Sequence, residues 1–266
     1  MRAYITLLSN ARYLQGVIGL KNALDKTNAR YPLICALSVE VPEICEDVLN
    51  NNGIHCMRFS KPALANRLSS EGHFAHWDFT FDKLKIWELE EYETLVFLDS
   101  DMLILKNLDH LFENKNFTSV CAGKAVPGHE HYKGLNSGLI VIKPNKKIAE
   151  ELCSLANDIT SKRTDNTKFI GDQDILQAYL TNWDNDLTLQ LDQSYNVFAD
   201  CLKFYIEGLG YSLDPESSKP LYVIHFIGRT KPWMKRSFKG HLWLTRMCLK
   251  DKYYWKAYRQ YKKLLR

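Results

Sequence analysis

Two acidic residues two positions apart close an apolar run at Leu95-Val96-Phe97-Leu98-Asp99-Ser100-Asp101. Side chains two apart in an extended segment point the same way. Asp99 and Asp101 can therefore converge on one hard cation such as Mg²⁺ or Mn²⁺. Two further D-x-D spacings occur, Asp172-Gln173-Asp174 and Asp184-Asn185-Asp186, and the latter follows Thr181-Asn182-Trp183 and reads as a surface loop. A second string, Val223-Ile224-His225-Phe226-Ile227-Gly228-Arg229-Thr230-Lys231-Pro232-Trp233, ends an apolar stretch on a histidine. A histidine ending a strand can supply one nitrogen ligand, which would favour Mn²⁺ over Mg²⁺, or it can be a hydrogen-bonded core residue. Gly228 permits close backbone approach or a positive φ. Lys231 is a point charge suited to phosphate, and Pro232 stiffens the turn. Leu135-Asn136-Ser137-Gly138 opens a buried strand with small polar groups that suit sugar hydroxyls, or that simply make a turn. Gly171-Asp172-Gln173-Asp174 sets an acid and an amide at a helix start, where Asp is also a common cap.

These groups need elements to hold them. Ala3–Leu8 is a continuous apolar run, as in a strand buried on both faces. A helical period follows through Leu14, Val17, Leu20 and Leu24, then a strand over Leu33–Leu37. Pro42 opens a short helix carrying Ile44, Val48 and Leu49, and Asn52-Gly53 turns into a strand over Ile54–Phe59. Such a β-α-β-α-β order predicts a doubly wound parallel sheet. The stretch Lys61–Thr80 lacks a period and carries His73, His76 and Trp77, a long loop of the functional kind. Beyond it the pattern predicts a helix over Phe81–Tyr92 and strands at Thr94–Leu98, Ser119–Ala122, Leu139–Ile142 and Leu221–His225. It also predicts helices near Lys146–Ile159 and Asp172–Leu180, and a last periodic stretch over 241–265. Asp99 and Asp101 then lie at the carboxyl end of a central strand, where open α/β sheets bind ligands. The expected fold is α/β, with one Rossmann-like domain over residues 1–239, a mostly parallel sheet, and a helical tail over 240–266.

Composition agrees with a globular domain. Of 266 residues, 45% are hydrophobic and 25% charged, which excludes collagen, coiled coil and bulk disorder. No apolar run reaches the roughly 18 residues of a membrane span, and Met1–Asn10 turns polar too soon for a signal peptide. The 7 cysteines show no C-x-x-C spacing, so neither a disulfide framework nor a cysteine zinc site is expected. Reduced thiols fit a cytoplasmic protein, and the sequon Asn116-Phe117-Thr118 reads as chance. The net charge of +4 hides an asymmetry: from Arg229 to Arg266, 13 Lys/Arg face the single acid Asp251, so that segment is +12 and residues 1–228 are −8. Aromatics interleave the basic residues, among them Trp243, Tyr254, Trp255, Tyr258 and Tyr261. Such a tail suits an anionic surface. We expect an inner membrane face, with the protein peripheral on it, and no nucleic acid, because a nucleic-acid binder would leave the polar motifs of the acidic main domain unexplained. A phosphatase of the haloacid dehalogenase type also uses a strand-ending D-x-D. That motif normally lies near the N-terminus, whereas here it begins at residue 99, Leu103 is neither Thr nor Val, and no Asp-Asp pair follows.

Together these strings resemble glycosyltransferase family 8, the retaining nucleotide-sugar transferases, over most of residues 3–233. Ala3–Leu24 and Tyr31–Glu43 are similar to the galactinol synthase branch. Asn136-Ser137-Gly138 and His225–Trp233 are similar to the glycogenin branch, and the Asp172–Leu176 string and basic tail to bacterial lipopolysaccharide hexosyltransferases. The resemblance implies a GT-A fold that binds UDP-glucose or UDP-galactose. By it, Leu7, Ser9, Asn10 and Tyr13 cradle uridine, with Tyr13 on the uracil. Asp99, Asp101 and His225 bind Mn²⁺ (Mg²⁺ being the alternative) across the diphosphate, Gly228 and Lys231 hold the phosphates, and Ser100 and Ser137 join the donor contacts. Lys83, Asn136, Asp172 and Gln173 surround the transferred sugar as the catalytic set. The hydroxyl acceptor it implies is lipid-linked or, alternatively, a soluble polyol or glucan, and a homo-oligomer is compatible. The sequence departs from the glycogenin branch after Tyr195-Asn196, where Lys203 stands at the position of the self-glucosylated tyrosine.

Overall fold

The computed structural model describes residues 1–59, 80–115, 117–162, 170–228 and 230–266. Its first half alternates as expected: β1 (Arg2–Leu8), α1 (Leu14–Lys26), β2 (Leu33–Ser38), α2 (Glu43–Asn51), β3 (His55–Phe59) and β4 (Thr94–Leu98). The four strands pair in parallel in the order β3-β2-β1-β4. Every residue of β2 and β4 is buried, because helices cover both faces of a parallel sheet. The alternation of side chains sorts them into two cores. Tyr4, Leu8, Val96 and Leu98 meet Val17, Leu20 and Leu24 of α1 on one face. Ala3, Ile5, Leu95 and Phe97 meet Leu152 and Ala156, and Ile175 and Leu176, on the other.

After β4 the chain turns through residues 99–101 into β5 (Met102–Ile104), which leaves the large sheet. That sheet is completed by β6 (Thr118–Val120), β7 (Asn136–Ile142) and β8 (Gln190–Leu191), giving the order β3-β2-β1-β4-β7-β6-β8. It is mostly parallel, and β7 runs antiparallel to both of its neighbours. The covering helices on the second face are α3 (Lys146–Ser161) and α4 (Asp172–Tyr179). β9 (Val197–Phe198) and β10 (Val223–His225) join β5 in a second sheet, order β5-β10-β9. The pairing of Met102 with His225 in that sheet carries the histidine to the acidic turn.

Several expected boundaries shift for local reasons. Of the second sheet the sequence predicts only the strand ending at His225; β5 and β9, of three and two residues, show no period. The helix expected over Phe81–Tyr92 is a 3₁₀ helix, Thr80–Glu88. The strand expected at Ser119–Ala122 spans Thr118–Val120, and that at Leu221–His225 spans Val223–His225. β7 extends back to Asn136, so Asn136 and Ser137 belong to the strand. Pro42 stands just before α2. The loop over Lys61–Thr80, with His73, His76 and Trp77, lies outside the described residues except for Thr80, as do Asn116 of the sequon and Arg229. The single periodic stretch over 241–265 is two helices, α5 (Phe238–Lys250) and α6 (Lys252–Leu264). Asp251 breaks it: its carboxylate accepts from the amides of Tyr253 and Tyr254 at 2.8 and 3.1 Å and caps α6. Tyr254, Ala257 and Tyr261 of α6 pack into a third core with Leu103, Ile224 and Phe226. No residue of α5 is buried, and Phe238 and Leu249 are 85% and 83% exposed. Trp243 and Trp255 are also exposed.

α1 lies close against the acidic turn because Gly16 has no side chain. A Cβ there would lie 2.6 Å from the Trp233 ring and 2.8 Å from the Ser100 carbonyl oxygen. Gly16→Ala gains about 1 kcal/mol of helix propensity but overpacks against backbone. We expect a net loss of up to about 2 kcal/mol, from an overpacking cost of roughly 1–3 kcal/mol. Urea denaturation checks this, and an unchanged or raised midpoint contradicts it.

Candidate active site

The site is built where β4 ends and the two sheets meet. Asp99 leaves the end of β4, its amide donating to the Gly138 carbonyl at 2.8 Å. Asp101 precedes β5, and its carbonyl accepts from the Phe226 amide at 3.0 Å. His225 ends β10 and points its Nε2 at Asp101 Oδ1 (3.0 Å) and Asp99 Oδ2 (3.7 Å). One ligand atom from each of the three lies within 4.8 Å of the others. Two carboxylate oxygens and one imidazole nitrogen at that spacing fit a divalent cation. The approach depends on Gly138, where a Cβ would lie 2.7 Å from the His225 ring.

Two buried lysines answer the carboxylates. Lys83 Nζ lies 2.9 Å from Asp172 Oδ2 and 3.4 Å from Asp99 Oδ1, and it donates to the Ser137 carbonyl and hydroxyl at 3.0 and 3.3 Å. It also sits 4.4 Å from the centre of the Phe97 ring. Lys231 Nζ lies 2.5 Å from Asp101 Oδ2 and 3.0 Å from the Phe226 carbonyl. Burial works against the charge on both lysines, but the facing carboxylates more than offset it and raise them above the ordinary lysine value. Burial also pushes Asp101 up, yet His225 and Lys231 hold it well below the carboxylate range. Asp99 is raised, chiefly by burial and then by Asp101 and Asp172 against the pull of Lys83 and His225. A third of its side chain stays exposed, so water tempers that push.

The structure thus joins Lys83, Asp99, Asp101, Asn136, Ser137, Asp172, Gln173, His225 and Lys231 in one network. Gln173 Oε1 accepts from the Ser137 amide at 3.3 Å, and its Nε2 donates to the Tyr132 hydroxyl at 3.2 Å. The motif at the start of α4 divides its labour. Asp174 takes the cap, accepting from the Gly171 amide at 2.8 Å, while Asp172 is buried against Lys83. Tyr13 stands beside the network, its ring centre 6.0 Å from Lys231 Nζ and 5.9 Å from Trp233. Leu7 and Ser9 are half-buried at the carboxyl end of β1, and exposed Asn10 accepts from the Arg12 amide at 2.9 Å. Gly228 is exposed with φ +94°, the positive φ its sequence position allowed. Ser100 is buried, its carbonyl packed toward α1.

Sequence reasoning missed Asn196, which is fully buried. Its Nδ2 donates to Asn136 Oδ1 at 2.8 Å, and its Oδ1 faces His225 Nδ1 at 3.0 Å. With Asn196 Oδ1 as its acceptor, Nδ1 is the donor nitrogen, and Nε2 is the one that faces the carboxylates and would ligate a metal there. Asn196 just precedes β9, which pairs with β10, but only the fold reveals that neighbourhood.

A mostly parallel α/β sheet with an acidic turn at the end of a central strand, facing a candidate cation site, is the arrangement that the sequence resemblance implies. The model of the Glycosyl transferase family 8 matches residues 4–237, and the chain belongs to that family. Galactinol synthase 1 of Solanum lycopersicum is 29% identical over 276 residues, covering 96% of this chain and 81% of the relative. Glycogenin-1 of Mus musculus is 29% identical over 241 residues, covering 87% of this chain and 65% of the relative. The crystal structure of the galactosyltransferase LgtC, in complex with donor and acceptor sugar analogs, superposes with a TM-score of 0.64 at 14% identity. It covers 100% of this chain and 95% of that one, and it speaks to the fold.

Lys83→Met tests the charge balance. It removes the ammonium that two carboxylates share, and breaking a buried pair costs roughly 3–5 kcal/mol. Asp99 already titrates above its ordinary value and loses a cation that opposes this. A carboxyl whose folded pKa is raised favours the folded state at low pH and costs stability as pH rises through that pKa. The deficit against the wild type should therefore be smallest below about pH 4 and widen towards neutrality. Chemical denaturation across that range checks it, and a deficit independent of pH contradicts it.

Proposed function

We propose that the protein transfers a hexose, glucose or galactose, from a UDP-sugar to a hydroxyl acceptor with retention of anomeric configuration and with Mn²⁺ as cofactor. The observation that carries this reading is the convergence of Asp99, Asp101 and His225 at the end of β4, with Lys231 against Asp101. The family's relatives named galactinol synthase, glycogenin and galactosyltransferase support the hexose. When bound, the cation would neutralise charge that builds on the leaving diphosphate. Lys231 and the open backbone at Gly228 would face the same phosphates, the ammonium gaining most once the glycosidic bond lengthens. Leu7, Ser9, Asn10 and Tyr13 would hold the uridine, and Ser100 and Ser137 the donor. Lys83 and Asn136 would orient the sugar, with Asp172 and Gln173 on the face opposite the leaving group. Incubation with Mn²⁺ and single UDP-sugars should release UDP slowly. Asp101→Asn should lower that rate by roughly 3–4 kcal/mol of transition-state stabilisation, in a chain that still folds but is less stable because buried Lys231 loses its carboxylate. Near-normal turnover in Asp101→Asn rules out the metal assignment.

For the acceptor, the exposed face of α5 favours a lipid-linked saccharide at the cytoplasmic face of an anionic membrane. Phe238, Leu242, Trp243 and Leu249 are exposed there beside Lys239, Arg246 and Lys250. Aromatics and cations on one surface are the composition of an interfacial helix, and each cation near an anionic leaflet adds about 1 kcal/mol. Among the described residues no helix is long and apolar enough to cross a membrane. The protein should sediment with anionic but not neutral vesicles, and Lys239→Glu with Arg246→Glu and Lys250→Glu should release it. Protein left in the supernatant at low salt moves the acceptor to a soluble polyol or glucan.

A further inference from the structure

The acidic turn is held from behind by the last helix. Tyr261 of α6 is fully buried. Its hydroxyl lies 3.3 Å from the carbonyl oxygen of Ser100 and 3.5 Å from that of Gly16. A phenol has one proton to donate, and Ser100 is the nearer acceptor. Ser100 is the residue between the two carboxylates, so the tilt of its peptide sets the directions in which Asp99 and Asp101 leave the chain. The ring of Tyr261 also supports the other half of the site. It stacks on Trp233 with centroids 5.8 Å apart at 28° and meets Phe226 edge-on at 5.4 Å. Phe226 in turn receives Lys231 on its carbonyl and gives its amide to Asp101.

The fit of α1 against this hydroxyl and its acceptor is close. A Cβ on Gly19 of α1 would lie 2.9 Å from it, and a Cβ on Gly16 would lie 2.8 Å from the Ser100 oxygen. The end of α6 is anchored by Asn22, whose Nδ2 donates to the Leu264 carbonyl at 2.6 Å. A shorter side chain in place of Tyr261 leaves the Ser100 carbonyl facing apolar rings, and a buried polar group without a partner turns to find one.

Resting on the metal reading above, we propose that Tyr261 is a positioning residue for the cation site, fixing the turn at Ser100 so that Asp99 and Asp101 present their oxygens together with His225. It touches neither cation nor substrate, and it acts through one backbone carbonyl and two aromatic rings.

Calorimetric titration of Mn²⁺ into the full chain without donor reads this role. Tyr261→Phe keeps the ring and removes the hydroxyl. It should bind Mn²⁺ roughly tenfold more weakly, the scale of a lost outer partner of a metal ligand. The melting transition in EDTA should fall by only a few degrees, the cost of one unpartnered carbonyl, and kcat should recover at saturating Mn²⁺. Gly19→Ala keeps the tyrosine but presses on its hydroxyl, and should weaken Mn²⁺ in the same sense. Tyr254→Phe, in the same helix and packed on Phe226, Trp243 and Tyr258, should bind as the wild type does. Wild-type affinity in Tyr261→Phe, with binding lost in Asp101→Asn, overturns the proposal and leaves the metal reading standing. A lowered melting transition with affinity intact makes Tyr261 structural only and overturns it as well. If Asp101→Asn binds like the wild type, or the wild type binds no Mn²⁺, the metal reading itself has failed and the proposal falls with it.

Discussion

Two carboxylates two residues apart at the buried end of a strand repel each other and resist leaving water. The rest of the molecule is arranged around that cost. Lys83 reaches Asp99 from the 3₁₀ helix before β4, and Lys231 reaches Asp101 from the segment after β10. Neither lysine is close to its partner in sequence, so the charges can be satisfied only in the folded chain. The chain leaves the large sheet after Asp101 for the same reason. Continuing β4 would carry the acids into the sheet, whereas the turn into β5 places them at a junction where β10 delivers an imidazole and the following loop an ammonium. Cations and hydrogen bonds that compensate two buried anions also form a ready cradle for a metal and a polyanion.

Much of this was legible in the residues. The apolar runs of β1, β2 and β4 and the period of α1 announce themselves because a doubly wound sheet imposes burial on whole strands. Asp99, Asp101, His225 and Lys231 stood out by spacing, and the structure gathers them. The 3₁₀ character of Thr80–Glu88 did not, since its apolar residues satisfy either kind of helix. β5 and β9 were invisible because three or two residues carry no period, and Asn196 was invisible because its partners Asn136 and His225 are supplied by other strands. The break at Asp251 could have been read: a lone acid within a run of bases is a helix cap waiting for two amides.

That break lets one basic segment do two unlike things. α6 turns Tyr254, Ala257 and Tyr261 into the core, while α5 buries none of its residues. A single continuous helix would fix the relation between those faces, whereas two short helices set them independently. Asp251 also accepts from the Lys203 amide at 3.0 Å, so the acid that starts α6 ties it to the segment following β9.

The matched residues end at 237, and a chain trimmed there for crystallisation would keep every motif that the family model recognises. Without α6 it would bare the rings of Phe226 and Trp233 and the Leu103 and Ile224 side chains of the small sheet, all of which share a core with Tyr254, Ala257 and Tyr261. A contiguous apolar face of that kind promotes self-association. Such a shortened protein would show its loss first as aggregation on purification, before any assay of sugar transfer had been run.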